Sequence, residues 1–134
     1  MHPNYPKANA LSTKIIGAAI EVHRHKGPGL VESIYERCLV HELHLQGIAS
    51  VSQISVPVEY KGLVFEEQLR LDVYVEQCLI VENKAVEKIL PIHKAQLLSY
   101  MKLLNAPLGL LINYHEPMLK DGIVRLILPG ADQP

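Results

Sequence analysis

A chain of 134 residues, 49% of them apolar, is sized for one domain around one core. Its apolar runs, such as LGLLI and VRLILP, are far too short to cross a bilayer, and the opening MHPNYPKANALS has no apolar stretch from which a signal peptide would be expected. A net charge of −1 excludes a strongly basic total, the usual footprint of tight nucleic-acid binding, and leaves only local basic patches open.

Two cysteines, Cys38 and Cys78, form neither a metal-ligand spacing nor a disulfide framework, so reduced thiols in a cytoplasmic protein are expected. Residues 1–10 are expected as a flexible tail. From about Leu11 to Arg24, Ile15, Ile16, Ala19, Ile20 and Val22 recur at helical spacing, and Gly27-Pro28-Gly29 ends the helix. His23, Arg24, His25 and Lys26 cluster at that end, where cations suit the helix dipole; Lys94 and Lys102 lie on another segment. A second helix from about Val31 to Gln46 turns Ile34, Cys38, Leu39, Leu43 and Leu45 inward and stops at Gly47.

The period then changes to two. Ile54, Val56 and Val58 alternate with polar residues, and Pro57 places this strand at an edge or bulge. Tyr60-Lys61-Gly62 reads as a turn, Val64 to Val75 as a second strand and Leu79 to Ala85 as a third. Pro91 opens a helix lined by Ile92, Ala95, Leu98, Leu103 and Leu104, and Asn105-Ala106-Pro107 ends it. Leu108 to Tyr114 is apolar almost throughout, as a strand covered on both faces would be. His115 to Gly122 reads as a loop, Ile123 to Leu128 as a fifth strand, and residues 130–134 as a second flexible tail. The order α-α-β-β-β-α-β-β predicts one α/β domain over residues 1–134 with a mixed central sheet flanked by helices. Three strands form a meander, and a right-handed helical crossover sets the fourth parallel to the third.

Chemistry concentrates in LRLDVYVEQCLIVENKAV. Folded as a hairpin centred on Gln77, within the polar break Glu76-Gln77-Cys78, this run sets Asp72 directly opposite Glu82, with Lys84 on the same face. Directly paired residues hold their Cβ atoms about 4.5–5.5 Å apart. Two carboxylates that close repel unless they share a proton or hold a cation. The trio therefore suits a hard divalent metal with an ammonium beside it. The plainer alternative is a cross-strand salt-bridge cluster on a solvated face, with Arg70 opposite Lys84.

Further motifs stand in order around that hairpin: Gly29-Leu30-Val31-Glu32-Ser33-Ile34-Tyr35 before it, then Gln96-Leu97-Leu98-Ser99-Tyr100 and GLLINY from Gly109 to Tyr114 after it. With Asp72 and Glu82-Asn83-Lys84 they make the chain resemble the PD-(D/E)XK nuclease superfamily over nearly its whole length, and within it the group called GxxExxY after its first motif. The resemblance implies a restriction-endonuclease-like core and Mg²⁺-dependent hydrolysis of nucleic-acid phosphodiesters, DNA first, with Mn²⁺ able to substitute. It implies that Asp72, Glu82 and the backbone carbonyl of Asn83 hold the metal, and that Lys84 orients the attacking water or stabilises developing charge. Glu32 would hold a metal-associated water or a second metal, and Gln96 and Tyr100, one helical turn apart, would position substrate. It also implies a possible homodimer that pairs two sites, with Ile123 to Leu128 as an exposed edge; the alternative is a monomer whose edge the N-terminal helix covers. Two other functions stand beside the nuclease: a catalytically silent module of the same fold that binds nucleic acid or protein, and an enzyme acting on another phosphate ester.

The chain departs from the pattern at Leu71, which stands where the superfamily often has proline, and at Asn83, which replaces an apolar residue. The Asn83 side chain is expected on the face opposite the site, where a buried amide needs partners. Tyr35 and Tyr100 are expected to pack with hydrogen-bonding tips. His93 reads as a helix-start histidine, and Glu21 and Glu36 as ordinary surface carboxylates.

Overall fold

The computed structural model describes residues 1–134, the side chain of Glu67 apart. Helix α1 (Tyr5–Lys26) is followed by α2 (Glu32–Leu45), then strands β1 (Ser50–Tyr60), β2 (Leu63–Val75) and β3 (Leu79–Lys84). Helix α3 (Pro91–Leu104), β4 (Leu108–Asn113), a 3₁₀ turn (Leu119–Gly122) and β5 (Ile123–Ile127) complete the chain. The predicted order holds throughout. Helix α1 starts at Tyr5 rather than Leu11, because Pro6 sits in its first turn, where the missing N–H is not needed. The two segments expected as tails lie together: Ala8 is fully buried, and the His2 N–H donates to the carbonyl of buried Ala131 at 2.8 Å.

One five-stranded sheet runs β1-β2-β3-β4-β5. Only β3 and β4 are parallel; the other neighbours are antiparallel. Helices α1 and α2 cover one face, where Ile15, Leu39 and Leu43 meet Val73, Val81, Leu110 and Ile112. Helix α3 covers the other, where Leu97 and Met101 meet Leu71, Ile80 and Leu111. This two-sided cover explains why β3 and β4 are apolar at successive positions. Gly109 lets α3 approach: a Cβ there would stand 2.7 Å from the Met101 sulfur.

β1 and β2 form a long hairpin closed by Lys61 and Gly62, both with positive φ, as a tight two-residue turn requires. The register shifts between Pro57 and Glu59, so the edge or bulge expected at Pro57 is present in both senses. At the other edge, Arg125 of β5 donates hydrogen bonds to the Tyr5 hydroxyl and the Asn9 side chain of α1.

Candidate active site

The β2–β3 ladder runs from Val75↔Leu79 to Val73↔Val81, the register of a hairpin centred on Gln77. Backbone pairing then stops. At the next position side chains replace it: the Asn83 N–H donates to Asp72 Oδ2 at 2.8 Å, and the Asp72 N–H donates to Glu82 Oε1 at 3.2 Å. The two strands thus open into a fork with one carboxylate on each tine. Arg70 lies beyond the fork, where it pairs with Ser55 of β1, not with Lys84 as the extended hairpin predicts.

β2 is also irregular on its other side. Ser52↔Val73 and Ile54↔Leu71 are paired, but Gln53 and Asp72 between them are not, and Gln53 has φ of 56°. Residues two apart on a strand normally share a face. Val73 nevertheless packs under α1 and α2, while Leu71 packs under α3. The strand changes face at Asp72, as a bulge does when it re-aims one side chain.

Burial dominates the electrostatics. Glu82 is 7% exposed, and burial, then the charge of Asp72, pushes its carboxyl up to about 8. Asp72 is raised by burial too, against the Asn83 N–H, the Lys84 ammonium and a hydrogen bond with Glu82. Burial and mutual repulsion thus favour a proton shared on the metal-free pair over two full charges. Glu32, at the start of α2, is raised by burial and by Asp72 and lowered by Lys84 and the Ala85 N–H, which places it at the same fork. Lys84 is half-buried and acts on all three acids, yet makes no ion pair with any described acid. Ion pairs among the described residues are those of Glu21 with Arg24 and His25, so the salt-bridge alternative for the hairpin is not what forms.

Tyr100 of α3 is half-buried, and its hydroxyl is raised by burial, then by Glu82 and Asp72. Gln96, one turn earlier, is exposed and makes no hydrogen bond among the described residues. His93 closes the start of α3, accepting the Leu90 N–H at Nδ1 over 3.0 Å.

Glu36 is not a surface carboxylate. It is 8% exposed, takes the Gln53 amide on both oxygens at 2.9 Å, and is raised by burial and by the charges of Asp72 and Glu32. Its spacing of four from Glu32 already put it on the same helix face.

Asn83 is fully buried opposite the acids, and its Oδ1 accepts the Tyr114 hydroxyl at 3.1 Å. Its Nδ2 has no partner among the described residues. Tyr114 stacks on Tyr35, with centroids 4.4 Å apart and planes 4° apart. The Tyr35 hydroxyl donates to the Gly27 carbonyl at 2.5 Å and accepts the Leu30 N–H at 3.0 Å. His115 Nε2 meets the Leu30 carbonyl at 3.0 Å. Tyr35, Tyr114 and His115 thus fix the loop that delivers Glu32. Asn113 fixes the exit of β3: its side chain accepts the Val86 N–H at 3.1 Å and donates to the Val86 carbonyl at 2.8 Å.

The fork offers hard oxygens. Asp72 and Glu82 converge, and the Asn83 carbonyl lies on the same edge of β3 as its N–H, toward β2. No three His, Cys, Asp or Glu side chains among the described residues gather as a metal-binding group. Two carboxylates and a carbonyl, with water completing the shell, fit Mg²⁺, which keeps several waters and takes few protein ligands. A structural zinc set of thiolates and imidazoles does not occur here. Among the described residues no helix is long and apolar enough to cross a membrane.

A family model described as the PD-(D/E)XK nuclease superfamily matches residues 9–126. No curated protein and no solved structure matches the chain.

Proposed function

The chain belongs to the PD-(D/E)XK nuclease superfamily, and from that membership we propose that it is a Mg²⁺-dependent nuclease of the GxxExxY group that hydrolyses phosphodiester bonds, DNA first. The observation that carries the reading is the fork, where the Asp72 N–H holds the Glu82 carboxylate and the Asn83 N–H holds that of Asp72, beside Lys84 and Glu32. Asp72, Glu82 and the Asn83 carbonyl hold the metal, and Mn²⁺ can replace Mg²⁺. When bound, the metal acidifies water and opposes charge on the scissile phosphate. Lys84 orients the attacking water and donates to the charge that develops on phosphorus oxygens. Glu32 holds a water at the fork, and Tyr100 and Gln96 orient the substrate phosphate from α3. Free Cys38 and buried free Cys78 support a cytoplasmic setting. A homodimer would pair two sites for two strands, and light scattering during size exclusion decides its existence.

The test is incubation of purified protein with single-stranded, duplex and branched DNA and with RNA, in Mg²⁺ or Mn²⁺. Cleavage is expected; Asp72→Ala abolishes it and Lys84→Ala lowers it by about 10²–10³. No cleavage of any substrate, or equal cleavage by the variants, removes the nuclease reading and leaves a silent binding module.

A further inference from the structure

A groove of about 470 Å³ runs between α2 and the start of β1. One end is Glu36, which reaches through Gln53 to the irregularity beside Asp72. From there the α2 wall carries Arg37, His41 and His44, spaced to lie along one stripe of the helix. All three are exposed, and none has a carboxylate partner among the described residues. The nearest acid farther along α2, Glu42, is held by the Gln46 amide at 3.0 Å. The β1 wall adds Ser50 and Ser52, two residues apart.

This is a phosphate-binding inventory: a guanidinium with a planar donor fork, two imidazoles and two hydroxyls. No Phe, Tyr or Trp lines the groove, so its planar faces are those of Arg37, His41 and His44. Contacts of this kind position a nucleic acid by its backbone and carry no sequence information. We propose that the α2–β1 groove binds the sugar–phosphate backbone of the substrate strand flanking the scissile bond, with Arg37 as its principal phosphate contact. The inference rests on the nuclease reading and extends it by giving the strand a path away from the fork.

Fluorescence anisotropy tests it, with labelled single-stranded and duplex DNA and RNA, metal-free full-length protein and salt from about 50 to 200 mM. Arg37→Ala weakens binding about tenfold and lowers the slope of log K against log salt by about one, and adding His41→Ala and His44→Ala weakens it further. Arg37→Lys recovers part of the loss, because it restores the charge without the fork. Arg24→Ala, which removes a cation already paired with Glu21, leaves binding unchanged. In cleavage, Arg37→Ala raises KM and spares kcat, and Mn²⁺ calorimetry reads the same metal affinity as wild type. A wild type that binds or cuts nucleic acid, with the Arg37 and triple variants matching it in affinity, salt slope and KM, overturns the groove alone. A wild type that neither binds nor cuts any of these nucleic acids overturns the nuclease reading, and the groove with it.

Discussion

Lys84 is the residue whose role separates chemistry from metal binding. It acts on Glu32, Asp72 and Glu82 through space, with no close ion pair to any described acid. A group held near acids but not spent on them is free to donate to substrate. Lys84→Ala is therefore expected to lower kcat by about 10²–10³, the usual loss for one donor aimed at developing charge. Calorimetry with Mn²⁺ is expected to find metal binding retained. A variant that loses metal binding and activity together would make Lys84 a prop for the acids instead. Glu82→Gln divides the same functions the other way. It removes a proposed carboxylate ligand, so Mn²⁺ binding is expected to fall by at least an order of magnitude and cleavage with it; unchanged titration heats would exclude Glu82 as a ligand. At this scale the sequence already singled out Asp72, Glu82 and Lys84 as neighbours through hairpin symmetry, and Glu32 through its motif, because both are local properties. Glu36 was hidden. Its burial depends on Gln53, seventeen positions away and in a positive-φ conformation that no residue type there announces.

Among the elements, the stacked pair Tyr35 and Tyr114 joins three pieces: the α1–α2 loop, the end of β4 and the C-terminal end of β3. Its energetics centre on Asn83, whose buried amide has one partner and needs more. Tyr114→Phe leaves that amide with none among the described residues, and an unsatisfied buried polar group costs about 1–3 kcal/mol. Urea denaturation is expected to show a loss of that size. Asn83→Leu in the Tyr114→Phe background removes the stranded group and recovers most of it, so the two changes are strongly non-additive. Additive losses would mean that the 3.1 Å bond contributes nothing. The need for partners at Asn83 was readable, since strand alternation places it opposite the acids. Its partner was not, because Tyr114 arrives through a parallel pairing 31 residues away. The start of α1 was missed for a different reason: Pro6 reads as a breaker unless the first turn is already known to begin at Tyr5.

For the whole molecule, the β1-β2-β3 meander and the parallel β3–β4 pair were legible, because an apolar run such as Leu108 to Asn113 needs cover on both faces. The change of face at Asp72 was not, since LRLDVYV alternates as though one face were buried throughout. That change takes the acids out of water, and it couples the site to global stability. Glu82 has a folded value of about 8 against 4.5 in the unfolded chain, so between those limits the folded state keeps a proton that the unfolded state has lost. A carboxyl raised on folding contributes fully below about pH 4.5, and the contribution disappears as pH rises through about 8. Asp72, Glu32 and Glu36 are raised as well and act in the same sense. Metal-free protein is therefore expected to lose a few kcal/mol of stability from this cluster between about pH 5 and 8. Glu82→Gln removes most of that slope, and its difference from wild type isolates the contribution of the site. Through the proposed metal site, Mg²⁺ or Mn²⁺ is expected to restore stability, and more at pH 8 than at pH 5, because protons compete for the same carboxylates. Urea titrations at pH 5, 6.5 and 8, in chelator and in millimolar Mg²⁺, give all of these slopes. Metal-free stability that stays level or rises over that range, equally in wild type and Glu82→Gln, would place the two carboxylates in water rather than in a closed fork.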